Sequence, residues 1–169
     1  IIASQLDENQ VGFLIRMINN VYLQSEGNMW KAAHQRITKL RLLEIIEKEE
    51  LLLVVNDDSI GGCIHLEPMD KLMSKFKMLV VHPKFKSKGI GSILVDFAEN
   101  EARKSGVTKM QLELLVPTDF EHPDKVFLKS WYMRIGYQKV AVESVDAAHE
   151  GLSKLLKTSC VAEIYHKLL

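Results

Sequence analysis

Met78-Leu79-Val80-Val81-His82-Pro83-Lys84-Phe85-Lys86-Ser87-Lys88-Gly89-Ile90-Gly91 is the stretch on which the reading of this chain turns. It runs from an apolar strand through a short basic loop and a pair of glycines into a helix. Pro83 ends the strand, because a proline cannot donate to the ladder. A helix start leaves N–H groups unpaired and aims them, with the positive end of the helix dipole, at whatever lies in front. Gly89 and Gly91 let a ligand approach the backbone, and Lys84, Lys86 and Lys88 bias the place towards anions. The stretch predicts a cradle for a phosphate or pyrophosphate.

Downstream, Ile90, Ile93, Leu94, Phe97 and Ala98 recur at three and four, an amphipathic helix that stops at Gly106. Met110, Leu112, Leu114 and Val116 alternate as a strand, with Gln111 and Glu113 on its other face. A loop with Pro117 and Pro123 leads to a helix from about Lys125, with Phe127, Leu128, Trp131, Tyr132 and Ile135 on one face. Tyr137–Val145 and Cys160–Leu168 read as strands around a helical turn. Upstream, Leu51–Val55 and Ile60–Glu67 form a hairpin across Asn56-Asp57-Asp58-Ser59. Two helices precede it, one started by the capping box Asp7 and Gln10, the other capped by Thr38. Ile1–Ser4 reads as the end of a first strand. The expected fold is a single α/β domain of the α+β type over residues 1–169. Its central mixed sheet would have about seven strands, with helices on both faces.

Composition narrows the function. The chain has 169 residues, 47% apolar and 26% charged, enough for one core. Lys+Arg and Asp+Glu balance at 22 each, so no global field points to nucleic acid or an anionic membrane. No apolar run approaches the roughly 20 residues that span a bilayer. Cys63 and Cys160 stand alone in apolar runs and read as reduced thiols. The chain opens on Ile1-Ile2, without an initiator Met and without a secretory pattern, so the start reads as trimmed and the expected setting is cytoplasmic. No Cys/His cluster has metal-ligand spacing, and no Ser/His/Asp set suggests itself, so no metal is expected.

The glycine segment fails the common nucleotide patterns. Gly89 and Gly91 are not followed by Lys-Ser, and Gly89-Ile90-Gly91-Ser92-Ile93-Leu94 lacks a third glycine. What remains, Val81-His82-Pro83-Lys84-Phe85-Lys86-Ser87-Lys88-Gly89-Ile90-Gly91, resembles the acyl-CoA pyrophosphate loop of the GNAT acetyltransferase superfamily. The resemblance runs over nearly the whole chain. Arg36-Ile37-Thr38 before a helix, Ile60-Gly61-Gly62 in the hairpin and Trp131-Tyr132-Met133-Arg134-Ile135-Gly136-Tyr137 fall where that family has counterparts. Two departures stand out: Lys86 replaces the usual Arg or Gln, and Lys125 stands seven residues before Tyr132, where an Asn is often found. The connection between Glu113 and Tyr132 is also longer than usual, which marks 117–125 as this protein's own.

The resemblance implies acetyl transfer from acetyl-CoA to a small-molecule or peptide amine. The N–H groups of Lys86, Ser87, Lys88, Gly89, Ile90, Gly91 and Ser92 would hold the pyrophosphate. The main chain of Leu79, Val80 and Val81 would meet the pantetheine arm and the thioester carbonyl, as an oxyanion hole does. A splay or bulge is expected there, at the fourth strand, because free N–H groups must come from somewhere. Tyr132 takes the general-acid position, although on spacing alone it is one more residue of the apolar face. The base is open between Glu113, His122, Glu67 and water. Trp30 and His34 lie in the region that shapes the acceptor pocket, while His82 reads as structural. A CoA-binding regulator would keep the loop without the acid, and a domain that had lost the cofactor would fill it. A homodimer through the last strand is a further expectation.

Overall fold

The structure is a computed structural model that describes residues 1–31, 34–56 and 59–169. The hairpin-turn residues Asp57 and Asp58 lie outside the described residues. Two helices, α1 (Glu8–Glu26) and α2 (Lys39–Glu47), lead into β1 (Leu51–Asn56), β2 (Ser59–Pro68) and β3 (Met73–Val81). Then come α3 (Ile90–Lys104), β4 (Lys109–Pro117), α4 (Pro123–Arg134), β5 (Gln138–Ser144), a one-turn α5 (Val145–Ala148) and β6 (Cys160–Leu168). The helix starts are those the sequence marks. The Asp7 carboxylate accepts from the Gln10 backbone amide at 2.8 Å while the Gln10 side-chain oxygen accepts from the Asp7 amide, and the Thr38 hydroxyl caps α2.

The sheet has six strands in the order β1-β2-β3-β4-β6-β5, not about seven. Ile1–Ser4 contributes only a bridge between Ile2 and Leu52, with the Ala3 amide donating to the Leu51 carbonyl at 2.8 Å. All pairings are antiparallel except β3 with β4, the pair joined by the α3 crossover. The last strand is not an edge. β6 is paired on both sides, with β4 and with β5, so it offers no open ladder to a second subunit. Among the described residues no helix is long and apolar enough to cross a membrane.

Two cores lie on opposite faces of the sheet. One packs α1 and α2 against Leu51, Leu53, Cys63, Met78 and Val80; the other packs α3 and α4 against Ile64, Phe76, Leu112 and Leu114. Phe76 and Met78, two residues apart on one strand, belong to different cores. A simple strand cannot do this, since positions i and i+2 share a face. The β2–β3 register gives the reason: Cys63 pairs with Val80 and His65 with Lys77, so two residues of β3, Met78 and Leu79, oppose the single Ile64. That bulge reverses every side chain beyond it and sends Leu79 to the α3 side. Met78 has φ +54°, the left-handed region that a β-unbranched L residue enters only at a cost of about 1–2 kcal/mol.

α3 lies unusually close to β2 because of Gly62. A Cβ there would stand 2.6 Å from the Val80 carbonyl oxygen and 3.1 Å from both Ile90 and Leu94. Val80 cannot move without disturbing the bulge, so this glycine sets how far the start of α3 descends onto the sheet. Gly62→Ala is expected to destabilise the fold by about 1–3 kcal/mol through overpacking. Urea unfolding checks this, with a lowered midpoint and an unchanged slope.

Candidate active site

The basic loop begins as a turn of 3-10 helix, Pro83–Phe85, in which His82 Nδ1 accepts from the Lys84 amide at 3.2 Å. His82 also stacks on Phe13, with ring centroids 5.7 Å apart, so its role is structural. Ser87 and Gly89 both have positive φ, +61° and +78°. A Cβ on Gly89 would meet nothing within 4 Å, so glycine is required there by its backbone angle and not by crowding. This conformation turns consecutive amides outward. Among the described residues, the N–H groups of Ser87, Gly89, Ile90, Gly91 and Ser92 have no backbone acceptor; the first bond made by α3 is from Ile93 to the Gly89 carbonyl, at 3.1 Å. Lys84, Lys86 and Lys88 are exposed around them. The cradle fits a pyrophosphate: open amides, a helix dipole and no acidic side chain in the loop.

The loop sits at the end of a gap in the sheet. β3 and β4 pair only through Met73, Ser74 and Lys75 with Lys109, Met110 and Gln111. Beyond Lys75 they diverge, while β4 stays paired with β6 through Pro117. The β4-facing side of Leu79–Val81 therefore has no strand on it. Leu79 and Val81 face α3; Val80 is buried in the opposite core and can contribute only its main chain.

A cavity of about 430 Å³ fills this gap. Phe76, Leu79, Leu128 and Tyr132 line it from the α3/α4 side; Tyr22, Glu26, His34 and Arg36 line it from the α1/α2 side. Tyr132 is 6% exposed and packs on Phe76 and Trp131. Its hydroxyl makes no hydrogen bond within the described residues. Burial, with a smaller contribution from Tyr22, pushes its phenol well above the ordinary range, so it holds its proton at neutral pH. A protonated hydroxyl without a protein partner, on a residue that lines the same cavity as Leu79, has the chemistry of a proton donor.

A family model described as "Acetyltransferase (GNAT) domain" matches residues 47–139, which include β1–β4, the loop and α4. The chain belongs to the GNAT acetyltransferase family. Solved structures agree on the fold. The PaiA N-acetyltransferase of Thermoplasma acidophilum, in complex with coenzyme A, superposes with TM-score 0.71 at 17% identity, over 97% of this chain and 96% of that one. An aminoglycoside 6'-N-acetyltransferase complexed with coenzyme A gives 0.67 at 18%, over 98% and 95%. The ribosomal-protein-S18-alanine N-acetyltransferase of Escherichia coli gives 0.63 at 13%, over 98% and 91%. No curated protein sequence matches the chain significantly.

Against that family background, the remaining candidate residues fall into distinct places. Glu113 lines the cavity, paired with His149 Nε2 at 2.6 Å and accepting from Gln111 at 3.2 Å. Trp30 and His34 stack face to face at 4.0 Å, and burial together with Arg36 holds the His34 imidazole below its ordinary pKa. Glu67 is outside the cavity wall, bound to Lys77 at 2.5 Å and Lys75 at 3.6 Å; burial works against its charge, but the two lysines outweigh it and hold its carboxyl low. His122 is buried at the start of α4, away from the cavity, with Nδ1 unpartnered. Phe127, expected on the apolar face of α4, is 61% exposed. Tyr137 serves the scaffold: its hydroxyl donates at 2.8 Å to the buried Glu99, which also takes Lys167.

Sequence spacing alone does not single out Glu26, Tyr22 or His149, whose partners are distant along the chain. Lys125, which stands where the family often has an Asn, belongs to such a distant pair. It is 3% exposed and ion-paired with Glu26, whose second carboxylate oxygen accepts from Trp30 Nε1 at 3.1 Å. The chain Trp30–Glu26–Lys125 ties the end of α1 to the start of α4 beside the gap. Removing one partner of a buried pair strands the other charge. Lys125→Met is expected to cost about 3–5 kcal/mol in thermal or urea unfolding, and the double change Glu26→Leu with Lys125→Met much less. Equal losses in the single and double variants would show that the pair does not act as a unit.

Proposed function

We propose that this chain moves an acetyl group from acetyl-CoA to a primary amine by direct attack in a ternary complex. The observation that carries the reading is the conjunction of an open-amide loop at the end of the β3–β4 gap with the unpaired strand edge at Leu79 and the hydroxyl-bearing Tyr132, both of which line the cavity in that gap. Acetyl-CoA supplies the activated acyl group. The amides of residues 87 and 89–92 bind its pyrophosphate, and the main chain of Leu79–Val81 orients the pantetheine arm and polarises the carbonyl. The N–C bond forms as the C–S bond breaks. Tyr132 gives its proton to the departing sulfur, and the proton of the amine leaves through Glu113 with His149, or through water. The similar structures named as aminoglycoside and ribosomal-protein N-acetyltransferases act, by those names, on amino groups, which supports an amine acceptor here.

Isothermal titration with acetyl-CoA, desulfo-CoA and ATP separates this reading from its rivals. Both CoA ligands should bind and ATP should not; failure of either CoA ligand to bind rules the assignment out. Thiol release over a panel of amines tests transfer, and binding without release on any amine would make the chain a CoA-dependent regulator instead. In the active enzyme, Tyr132→Phe should lower kcat by about 10²-fold or more. Because the hydroxyl has no protein partner, that variant should keep its melting temperature and its acetyl-CoA affinity; an unchanged kcat would remove Tyr132 from the mechanism.

A further inference from the structure

The cavity wall on the α1/α2 side is rich in cations, and all but one of its lysines and arginines touch a carboxylate among the described residues. Arg41 binds Glu44 at 2.8 Å, Lys77 and Lys75 share Glu67, and Lys125 is paired with Glu26. The two paired histidines of the wall follow the same rule, His65 with Glu50 at 2.9 Å and His149 with Glu113 at 2.6 Å. Arg36 differs. Among the described residues no carboxylate lies within 4 Å of its guanidinium, which instead rests over the ring of Tyr22 with its central carbon 4.8 Å from the centroid. Burial raises the Tyr22 phenol against the pull of Arg36, so the ring is neutral and leaves the charge of Arg36 standing. Glu26 attracts Arg36 from beyond ion-pair distance, and it is already committed to Lys125 and Trp30.

A half-buried guanidinium facing a cavity, held in place by an aromatic ring and lacking a counter-ion, is a vacant anion anchor. The pyrophosphate does not need it, because the loop at residues 87–92 lies at the other end of the gap. On the acetyl-transfer reading acetyl-CoA takes the loop end of the gap, which leaves the α1/α2 side to the acceptor. We infer that the acceptor is a small amine that also carries a carboxylate, and that Arg36 binds that carboxylate. This assignment rests on the acetyl-transfer reading above and names its substrate class. The planar fork of Arg36 matches a carboxylate with two parallel N–H···O bonds. The cavity, at about 430 Å³ before the pantetheine arm takes its share, has room for a free amino acid but not for a folded protein segment, and a cation without a counter-ion in its wall repels a polyamine.

The test uses matched pairs on the full chain: each free amino acid of a panel beside its amide, which has the same shape without the charge, and beside its decarboxylated amine. Thiol release should favour the acids by about ten- to a hundredfold in kcat/KM. Arg36→Met should raise KM for the acids by a similar factor, leave the amides unchanged and keep the affinity for acetyl-CoA; Arg36→Lys should recover part of the loss. Should Arg36→Met fail to fold, the acid-to-amide ratio of the unaltered protein decides alone. Amides or decarboxylated amines used as well as acids would overturn the assignment while leaving acetyl transfer standing. Binding of acetyl-CoA with no release on any amine would overturn both.

Discussion

The candidate site depends on β3 and β4 parting after three residue pairs. Parallel strands in a layered fold ordinarily satisfy their main-chain groups against each other. Here β3 gives up that partner beyond Lys75, and the bulge at Met78–Leu79 turns its side chains over at the same place. The two events are coupled. Without the bulge, Met78 and Val80 would face α3 and the start of that helix would not fit over Gly62. The positive φ of Met78 is the local strain that the two packed cores hold in place. The opened strand edge, the cavity and the position of the loop are consequences of this one departure from a regular sheet.

The two ends of the gap are electrostatically distinct. At the loop, lysines and unpaired amides face solvent and no acid competes for them, so the site is open to a multiply charged anion. At the α1/α2 wall most cations touch a carboxylate, Lys75 and Lys77 sharing one, and among the described residues the Arg36 guanidinium has none within ion-pair distance. Between them the walls are apolar and aromatic, and Tyr132 keeps its proton because burial raises its phenol. On the proposed reading donor and acceptor are sorted by charge, with Tyr132 between them as the proton donor.

The loop half of this arrangement is legible in the sequence. A basic loop with Gly89 and Gly91 between a strand and an amphipathic helix carries its own backbone requirements, and the segment from Trp131 to Tyr137 supplies the second motif. The capping box at Asp7, the Thr38 cap and the limits of β6 are local and were readable for the same reason. The α1/α2 half is not local. Glu26 with Lys125 and Glu113 with His149 join residues far apart along the chain, and spacing gives no hint of either pair. Glu67 and His122 looked as eligible as Glu113, and only the fold places them away from the cavity. The reduction of Ile1–Ser4 to a bridge and the interior position of β6 depend on strand order, which periodicity does not encode.

Hydrogen exchange of individual backbone amides, with and without acetyl-CoA, tests the central claim most directly. The account predicts that acetyl-CoA slows exchange in two groups, the loop amides of Ser87 and Gly89–Ser92 and the strand-edge amides within Leu79–Val81. ATP should leave both groups unchanged. Acetyl-CoA binding that leaves both groups exchanging freely, or that protects only sites away from the β3–β4 gap, would contradict it.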